Sequence, residues 1–226
     1  MVLWISEVIP LHITAIAVAL LLIIIGGFSP EKVFSQFFDR IVVLVLGGFV
    51  LAVAMSKHKL DEYFAYKFLG RFNTSAKTLL LGMIFVTALL SMWMSNSAAA
   101  AIAMPIALVV LAKNKMRALK SNFGKSMVLA VAYGATIGGI GTLIGSTPNV
   151  ITQKFLTEKG IQFGFTDWLI RGLPFMLIMI VICWIVLLLF FSPEKKIIKM
   201  SKHPHPFTKN QKKVAVILGL TILLWV

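Results

Sequence analysis

Residues Thr78–Ala112 read TLLLGMIFVTALLSMWMSNSAAAAIAMPIALVVLA, 35 residues without one charge. A membrane-spanning helix needs about 20 apolar residues, and two full spans with a turn need roughly 40 or more. The stretch is too long for one crossing and short for two. At its centre stands Ser95-Asn96-Ser97, a polar break with helix-forming sequence on either side. Lys77 and Lys113 bound it, and basic flanks fit two crossings or a re-entrant hairpin alike. Its length and the missing exterior loop favour a hairpin that turns inside the membrane.

The rest of the chain supports a membrane setting. Of its 226 residues 59% are hydrophobic and 13% charged, against about 25% charged in an ordinary soluble domain. The apolar residues also gather into long runs. A net charge of +14 would suggest a nucleic-acid partner in a soluble chain. Here 17 of the 22 Lys and Arg sit in three loops instead. Lys57, Lys59, Lys67, Arg71 and Lys77 form the first, Lys113, Lys115, Arg117, Lys120 and Lys125 the second, and Lys195, Lys196, Lys199, Lys202, Lys209, Lys212 and Lys213 the third. Basic loops between apolar runs mark the cytoplasmic side, so no nucleic-acid partner is expected. Cys183, the only cysteine, lies within an apolar run and reads as packing. Glu7 and the lack of a basic start argue against a secretory signal.

The first span is expected over Leu11–Gly27 and the second over Ile41–Met55. Leu60, Phe64 and Phe68 recur every four residues, with Asp61, Glu62 and Lys67 elsewhere, which suits a short helix in the cytoplasmic interface or an ordinary loop helix. Ser126–Gln153 is again free of charge but is interrupted by Gly134, Gly138, Gly139, Gly141, Gly145 and Pro148. A further span covers Trp168–Phe191. Another begins at Val214, and its 13 residues would cover only about 20 Å, so the chain is expected to end inside a membrane helix.

Irregular backbone at membrane depth is tolerated only against protein or a water-filled cavity. Ser95-Asn96-Ser97 and Gly145-Ser146-Thr147-Pro148-Asn149 each look like one helix ending and another starting. In the second, Thr147 can cap and Pro148 suits the first helical position; in the first, Ser95, Asn96 or Ser97 can cap the alanine run. The starts of the second halves offer N–H groups and positive dipole ends to an anion. The ends of the first halves offer free carbonyls to Na⁺ or H⁺. Ser91 and Ser95, spaced i and i+4, would add hydroxyl oxygens on one helix face. Neither segment contains Lys or Arg, so an anion there needs dipoles, amides, hydroxyls and a co-bound cation. Gly134-x-x-x-Gly138 and Gly141-x-x-x-Gly145 can also be read as helix-packing motifs. Two breaks in adjacent charge-free segments favour a transport pathway. An enzyme is not expected: neither stretch holds a His, Asp, Glu or Lys to activate a nucleophile, and His12, His58, His203 and His205 all lie outside them.

At these residues the sequence resembles the divalent-anion/sodium symporter family. Ser91-Met-Trp-Met-Ser95-Asn96-Ser97 is similar to that family's Ser-Asn-Thr hairpin tip. Gly138-Gly139-Ile-Gly141-Thr142-Leu-Ile-Gly145-Ser-Thr-Pro148-Asn149 is similar to its Gly-Thr-Leu-Ile-Gly-Thr-Pro-Pro-Asn loop, and Trp4-Ile-Ser-Glu7-Val-Ile-Pro10 to its Trp-x-Thr-Glu-x-x-Pro segment. Ser97 stands where the family usually has Thr, and Ser146-Thr147-Pro148 replaces Thr-Pro-Pro.

The resemblance implies an all-α integral membrane fold, one inverted-repeat half of an elevator-type transporter with a re-entrant hairpin and a broken helix. It implies Na⁺ as coupling ion, no organic cofactor, a small anionic substrate such as succinate, malate or citrate, and a homodimer when full-length. One sodium site would use Ser91, Ser95, Asn96 and carbonyls around Gly145. The substrate would meet Asn96, Ser97, Thr147 and Pro148. The expected divisions are residues 1–77, scaffold helices and the interfacial helix; 78–153, the transport region; 154–213, a membrane helix and basic cytoplasmic loop; and 214–226, the start of a truncated helix. The alternatives are an inorganic-anion permease of sulfate type and a sodium-independent carboxylate exchanger.

Overall fold

The computed structural model describes residues 8–38, 40–72, 75–194, 196 and 206–225. Trp4 to Glu7 of the first motif, Lys195, Lys199 and Lys202 of the third basic loop, and His203 and His205 lie outside the described residues. Among those described, ten α-helices occur with two short 3₁₀ turns and no strand. They are α1 (Leu11–Ile24), α2 (Pro30–Phe34), α3 (Arg40–Lys57), α4 (Leu60–Leu69), α5 (Ala76–Ser91), α6 (Asn96–Lys113), α7 (Asn122–Gly138), α8 (Thr147–Glu158), α9 (Phe165–Phe190) and α10 (Lys209–Trp225).

The chain forms two compact units, Met1–Leu46 and Gly47–Val226. In the first, α1 spans about 21 Å at 1.5 Å per residue, three residues shorter than the expected span. Gly27 turns the chain at φ +65°, a conformation that suits glycine. The Ser29 hydroxyl then caps α2, accepting from Lys32 N, with Pro30 in its first turn. Val33 and Ala19 are buried beside an apolar groove that Leu22, Phe28 and Phe37 help to line.

The second unit is organised around α5. Leu79, Leu80, Met83, Ile84, Val86, Ala88 and Leu90 are all buried, so most of this helix is enclosed, and a stripe of Leu81, Phe85 and Leu89 stays half-buried. It packs against α4, α6, α7 and α9. Gly134 and Gly138 let α7 lie backbone to backbone on α5. A methyl group on Gly138 would fall 2.2 Å from Ala88 O, and one on Gly134 2.8 Å from Ile84 O. The packing reading of Gly134-x-x-x-Gly138 is thus correct. Gly141-x-x-x-Gly145 is no such motif, because α7 ends at Gly138 and both glycines lie in the break that follows.

Lipid-facing surface is clearest on α9, 26 residues with a mean hydropathy of 3.0 over its most apolar window. Ile170, Ile178, Leu189 and Phe190 point outward from it. Apolar residues exposed along a helix this long belong against hydrocarbon, so the chain is a membrane protein. α6 also meets the length and composition of a span, while α5, with 16 residues, is shorter.

Three local expectations are corrected. α10 begins at Lys209 rather than Val214, because Thr208 and Gln211 cap each other's backbone N–H groups at its start. Asp61 is 1% exposed rather than on a polar face. Its carboxylate accepts from Ser56 Oγ and Glu62 N, both at 2.7 Å, at the 73° bend between α3 and α4. The Gln211 side-chain amide closes the same corner, donating to the carbonyls of His58 and Lys59 at 3.1 Å. Finally, Ser146 and not Thr147 occupies the cap position of α8, which makes Thr147 its first residue.

Glu194, which no sequence motif singled out, clamps the start of α7. Its carboxylate accepts from the backbone N–H groups of Asn122 and Phe123. Partial burial pushes its pKa up, but its hydrogen bonds to backbone N–H groups and the Lys125 charge outweigh that, leaving it below the usual glutamate value.

Candidate functional site

Two helix breaks meet beside α5. The first is the expected one: α5 ends at Ser91, Met92 and Trp93 make a turn, and Ser95 caps α6 by accepting from Ala98 N at 3.3 Å. Ser91 and Ser95 therefore do not share a helix face, since the helix stops between them. The side chain that reaches Ser91 is that of Asn96, with Oδ1 at 2.8 Å from Ser91 Oγ. The second break runs from Gly139 to Ser146, between α7 and α8. It folds into tight turns, with Gly141 N donating to Gly138 O and Gly145 N to Thr142 O.

Glycines bring the two breaks into close approach here. A methyl group on Gly139 would lie 2.6 Å from Asn96 Oδ1 and 3.2 Å from Gly145 O. One on Gly145 would lie 2.8 Å from Gly139 O and 3.1 Å from Ser91 O. Ser91, Asn96, Gly139 and Gly145 are thus brought together from four points in the chain. Gly139 carries a role that the sequence reading had not given it.

The cluster is rich in oxygen. Ser91, fully buried, has one hydroxyl proton, yet Ala135 O stands at 2.6 Å and Asn96 Oδ1 at 2.8 Å, both acceptors. None of the described hydrogen bonds ends on the carbonyls of Ser91 or Gly145. An oxygen cluster in which one hydroxyl proton faces two acceptors, and two carbonyls accept no described bond, fits a hard cation, which takes oxygen ligands. Divalent ions of this kind usually recruit carboxylates, and the cluster has none, so its chemistry suits a monovalent ion. Ser91, Asn96 and Gly145 of the expected sodium set converge there. Ser95 Oγ is engaged in its cap.

The expected substrate residues lie at the starts of the second helices. Ser97 is exposed in the first turn of α6, and Thr147 and Pro148 are exposed in that of α8. No described hydrogen bond uses the backbone N–H of Asn96, Ser97 or Thr147. Such N–H groups, at the positive ends of helix dipoles, can donate to an anion.

Residues outside the expected set hold the breaks in shape. Thr142, fully buried, donates its hydroxyl to Met92 O and so ties one break to the other. Trp168 Nε1 of α9 donates to Ile140 O at 2.9 Å. The side-chain amide of Asn149, a residue 7% exposed, donates to Gly139 O at 2.7 Å and to Thr142 O at 2.8 Å.

Comparison with known proteins places the fold in a functional setting. The family model described as citrate transporter (CitMHS) matches residues 1–226. The sodium-dependent dicarboxylate transporters SdcS of Staphylococcus aureus strains USA300 and NCTC 8325 are each 33% identical to it over 240 residues. These matches cover 99% of this chain and 46% of each relative, so the chain spans about half the length of the curated relatives it matches. The family and these relatives are transporters, not enzymes.

Proposed function

Since this chain belongs to the citrate-transporter family, we propose that it forms one inverted-repeat half of a sodium-coupled symporter for di- and tricarboxylate anions such as succinate, malate or citrate. The observation that carries this reading is the carboxylate-free oxygen cluster of Ser91, Asn96 and Gly145. In the proposed cycle Na⁺ occupies that cluster, with Ser95 nearby, and its charge offsets that of the carboxylate.

A di-anion loses its hydration on entering the membrane interior, at a large cost unless opposite charge is present. Neither 78–112 nor 126–153 supplies a cationic side chain. Helix dipoles contribute only about half a charge at each N-terminus, so a bound cation supplies the remainder. Asn96 serves both ligands: its carbonyl oxygen faces the cation and its amide donates to a substrate carboxylate. Ser97, Thr147 and the backbone beside Pro148 complete the anion's contacts.

In this reading the basic loops are cytoplasmic and the Ser95–Ser97 tip lies at membrane depth in a cell-membrane protein. Residues 78–153 form the moving transport region of an elevator-type machine. Residues 1–77 and 154–208 form scaffold and cytoplasmic segments, α10 follows from Lys209, and the full-length protein is a homodimer in the lipid bilayer.

The test is succinate uptake into vesicles by the full-length protein containing this sequence. An inward sodium gradient should drive uptake, and choline at the same pH should not. Asn96→Asp removes the amide donor and adds a buried negative charge facing the substrate, and should abolish uptake. Uptake indifferent to sodium would refute the coupling and favour the exchanger. Competition by sulfate rather than by succinate or citrate would favour the inorganic-anion permease.

A further inference from the structure

Wherever a helix breaks, its last carbonyls lose their partners, and a buried carbonyl must find another. Around the two breaks here, most of these groups are taken up. Gly138 O accepts from Gly141 N. Met92 O accepts from the Thr142 hydroxyl, and Ile140 O from Trp168 Nε1. Gly139 O and Thr142 O are taken together by the single amide nitrogen of Asn149. Of the carbonyls at the breaks that accept none of the described bonds, those of Ser91 and Gly145 lie in the oxygen cluster.

We propose that Asn149 is a positioning residue that selects the cation's ligands, its amide withdrawing the backbone carbonyls Gly139 O and Thr142 O so that those of Ser91 and Gly145 face the ion beside the Asn96 side chain. This rests on the sodium reading above and extends it to a residue that need not touch either ligand. Two donors on one short side chain are what the geometry demands, because the carbonyls belong to residues three apart in a tight turn. Among side chains of this size only asparagine offers them: aspartate and leucine share its shape without the N–H groups, and serine has one proton. The orientation of the amide is unambiguous here, since both neighbours are acceptors. Gly139 adds a second reason. Its α-carbon and its carbonyl both lie against Gly145. A Gly139 carbonyl released from Asn149 could swing into the cluster and crowd or replace Gly145 O.

Gln211 provides a matched control, because its amide also donates to two successive backbone carbonyls, those of His58 and Lys59, at the α3–α4 corner. Asn149→Ala and Gln211→Ala therefore delete the same kind of bond, one at the oxygen cluster and one elsewhere. The experiment follows thermal unfolding of the purified chain in lipid nanodiscs against sodium chloride, with choline chloride at equal ionic strength as reference. Amide exchange of residues 139–146 is measured in parallel.

Wild-type protein should be stabilised by sodium. Asn149→Ala should raise the half-effective sodium concentration at least tenfold, narrow its discrimination between sodium and lithium, and speed exchange in 139–146 at least tenfold. Gln211→Ala should lower the unfolding temperature and leave the half-effective sodium concentration within twofold. Should Asn149→Ala not accumulate, Asn149→Ser, which can serve one carbonyl, should show an intermediate shift. A wild-type chain indifferent to sodium would remove the sodium reading and this inference with it. A responsive wild type beside an unshifted Asn149→Ala, or an equal sodium shift in Gln211→Ala, would overturn this inference alone.

Discussion

Adding one methyl group at Gly138 and one at Gly139 should have opposite consequences, although the residues are neighbours. At Gly138 the new carbon would sit 2.2 Å from Ala88 O and 2.4 Å from Ala88 Cα, where ordinary contacts begin at 3.4 Å. Those atoms are helix backbone and cannot turn aside, so α5 and α7 must separate by about 1 Å along a well-packed seam. Overpacking of this kind costs about 1–3 kcal/mol, and unyielding backbone puts Gly138→Ala at the top of that range. Better helix propensity returns up to about 1 kcal/mol. The net loss of about 2 kcal/mol corresponds to a fall of about 4–8 °C in Tm for a chain of this size. At Gly139 the nearest obstacle is Asn96 Oδ1, at 2.6 Å, the end of a side chain that can rotate. Gly139→Ala should therefore cost less than about 1 kcal/mol. Its methyl group, however, stands in front of the oxygen cluster. Thermal unfolding in detergent, with sodium or choline chloride, separates the two. Gly138→Ala should lose stability in both salts, and Gly139→Ala should keep its stability but lose the sodium-dependent increment. A Gly138→Ala protein as stable as wild type would refute the close approach of α5 and α7. A full sodium response in Gly139→Ala would refute the assignment of the cluster as the ion site.

Ser95→Ala should cost about 1 kcal/mol through loss of the α6 cap, and should raise the sodium concentration for half-maximal uptake in the full-length protein, whereas Ser97→Thr, which keeps the hydroxyl, should leave uptake unchanged. The Glu194 clamp gives a pH signature. Its carboxylate pKa is lowered in the folded chain, so the stability it adds is present above the ordinary value of 4.5 and is lost as pH falls through the folded value. Between about pH 5 and pH 3, wild-type Tm should therefore fall further than that of Glu194→Gln, and parallel curves would show that the clamp contributes nothing. In a Cys183→Ser background, a cysteine at Asn122 should be labelled only from the cytoplasmic side, and one at Ala98 slowly. Rapid labelling of Ala98 from outside would instead support two full crossings with an exterior loop.

Much of this protein follows from local sequence. Runs without charge, their lengths and the loops of lysine between them are one-dimensional properties, and they sufficed for the membrane class and the apolar helices. The breaks were equally legible, because Ser95 and the Ser146-Thr147-Pro148 group act within a few residues of themselves, and even there the cap of α8 was misplaced by one position. Ser91, Asn96 and Gly145 were legible through the resemblance of their motifs. What holds them together was not. Ser91 Oγ meets a carbonyl 44 residues away, the Thr142 hydroxyl one 50 residues away, and Glu194 caps a helix start 72 residues before it. Periodicity marks a residue as facing inward, but it does not say which carbonyl will face it. That choice depends on how closely two helix backbones approach, and here Gly134 and Gly138 decide it by letting α7 rest on α5. The buried Asp61 and the paired carbonyls under Asn149 are nearer in sequence, within five and ten residues, yet there too the bend of the backbone, and not the residue's period, sets the partner.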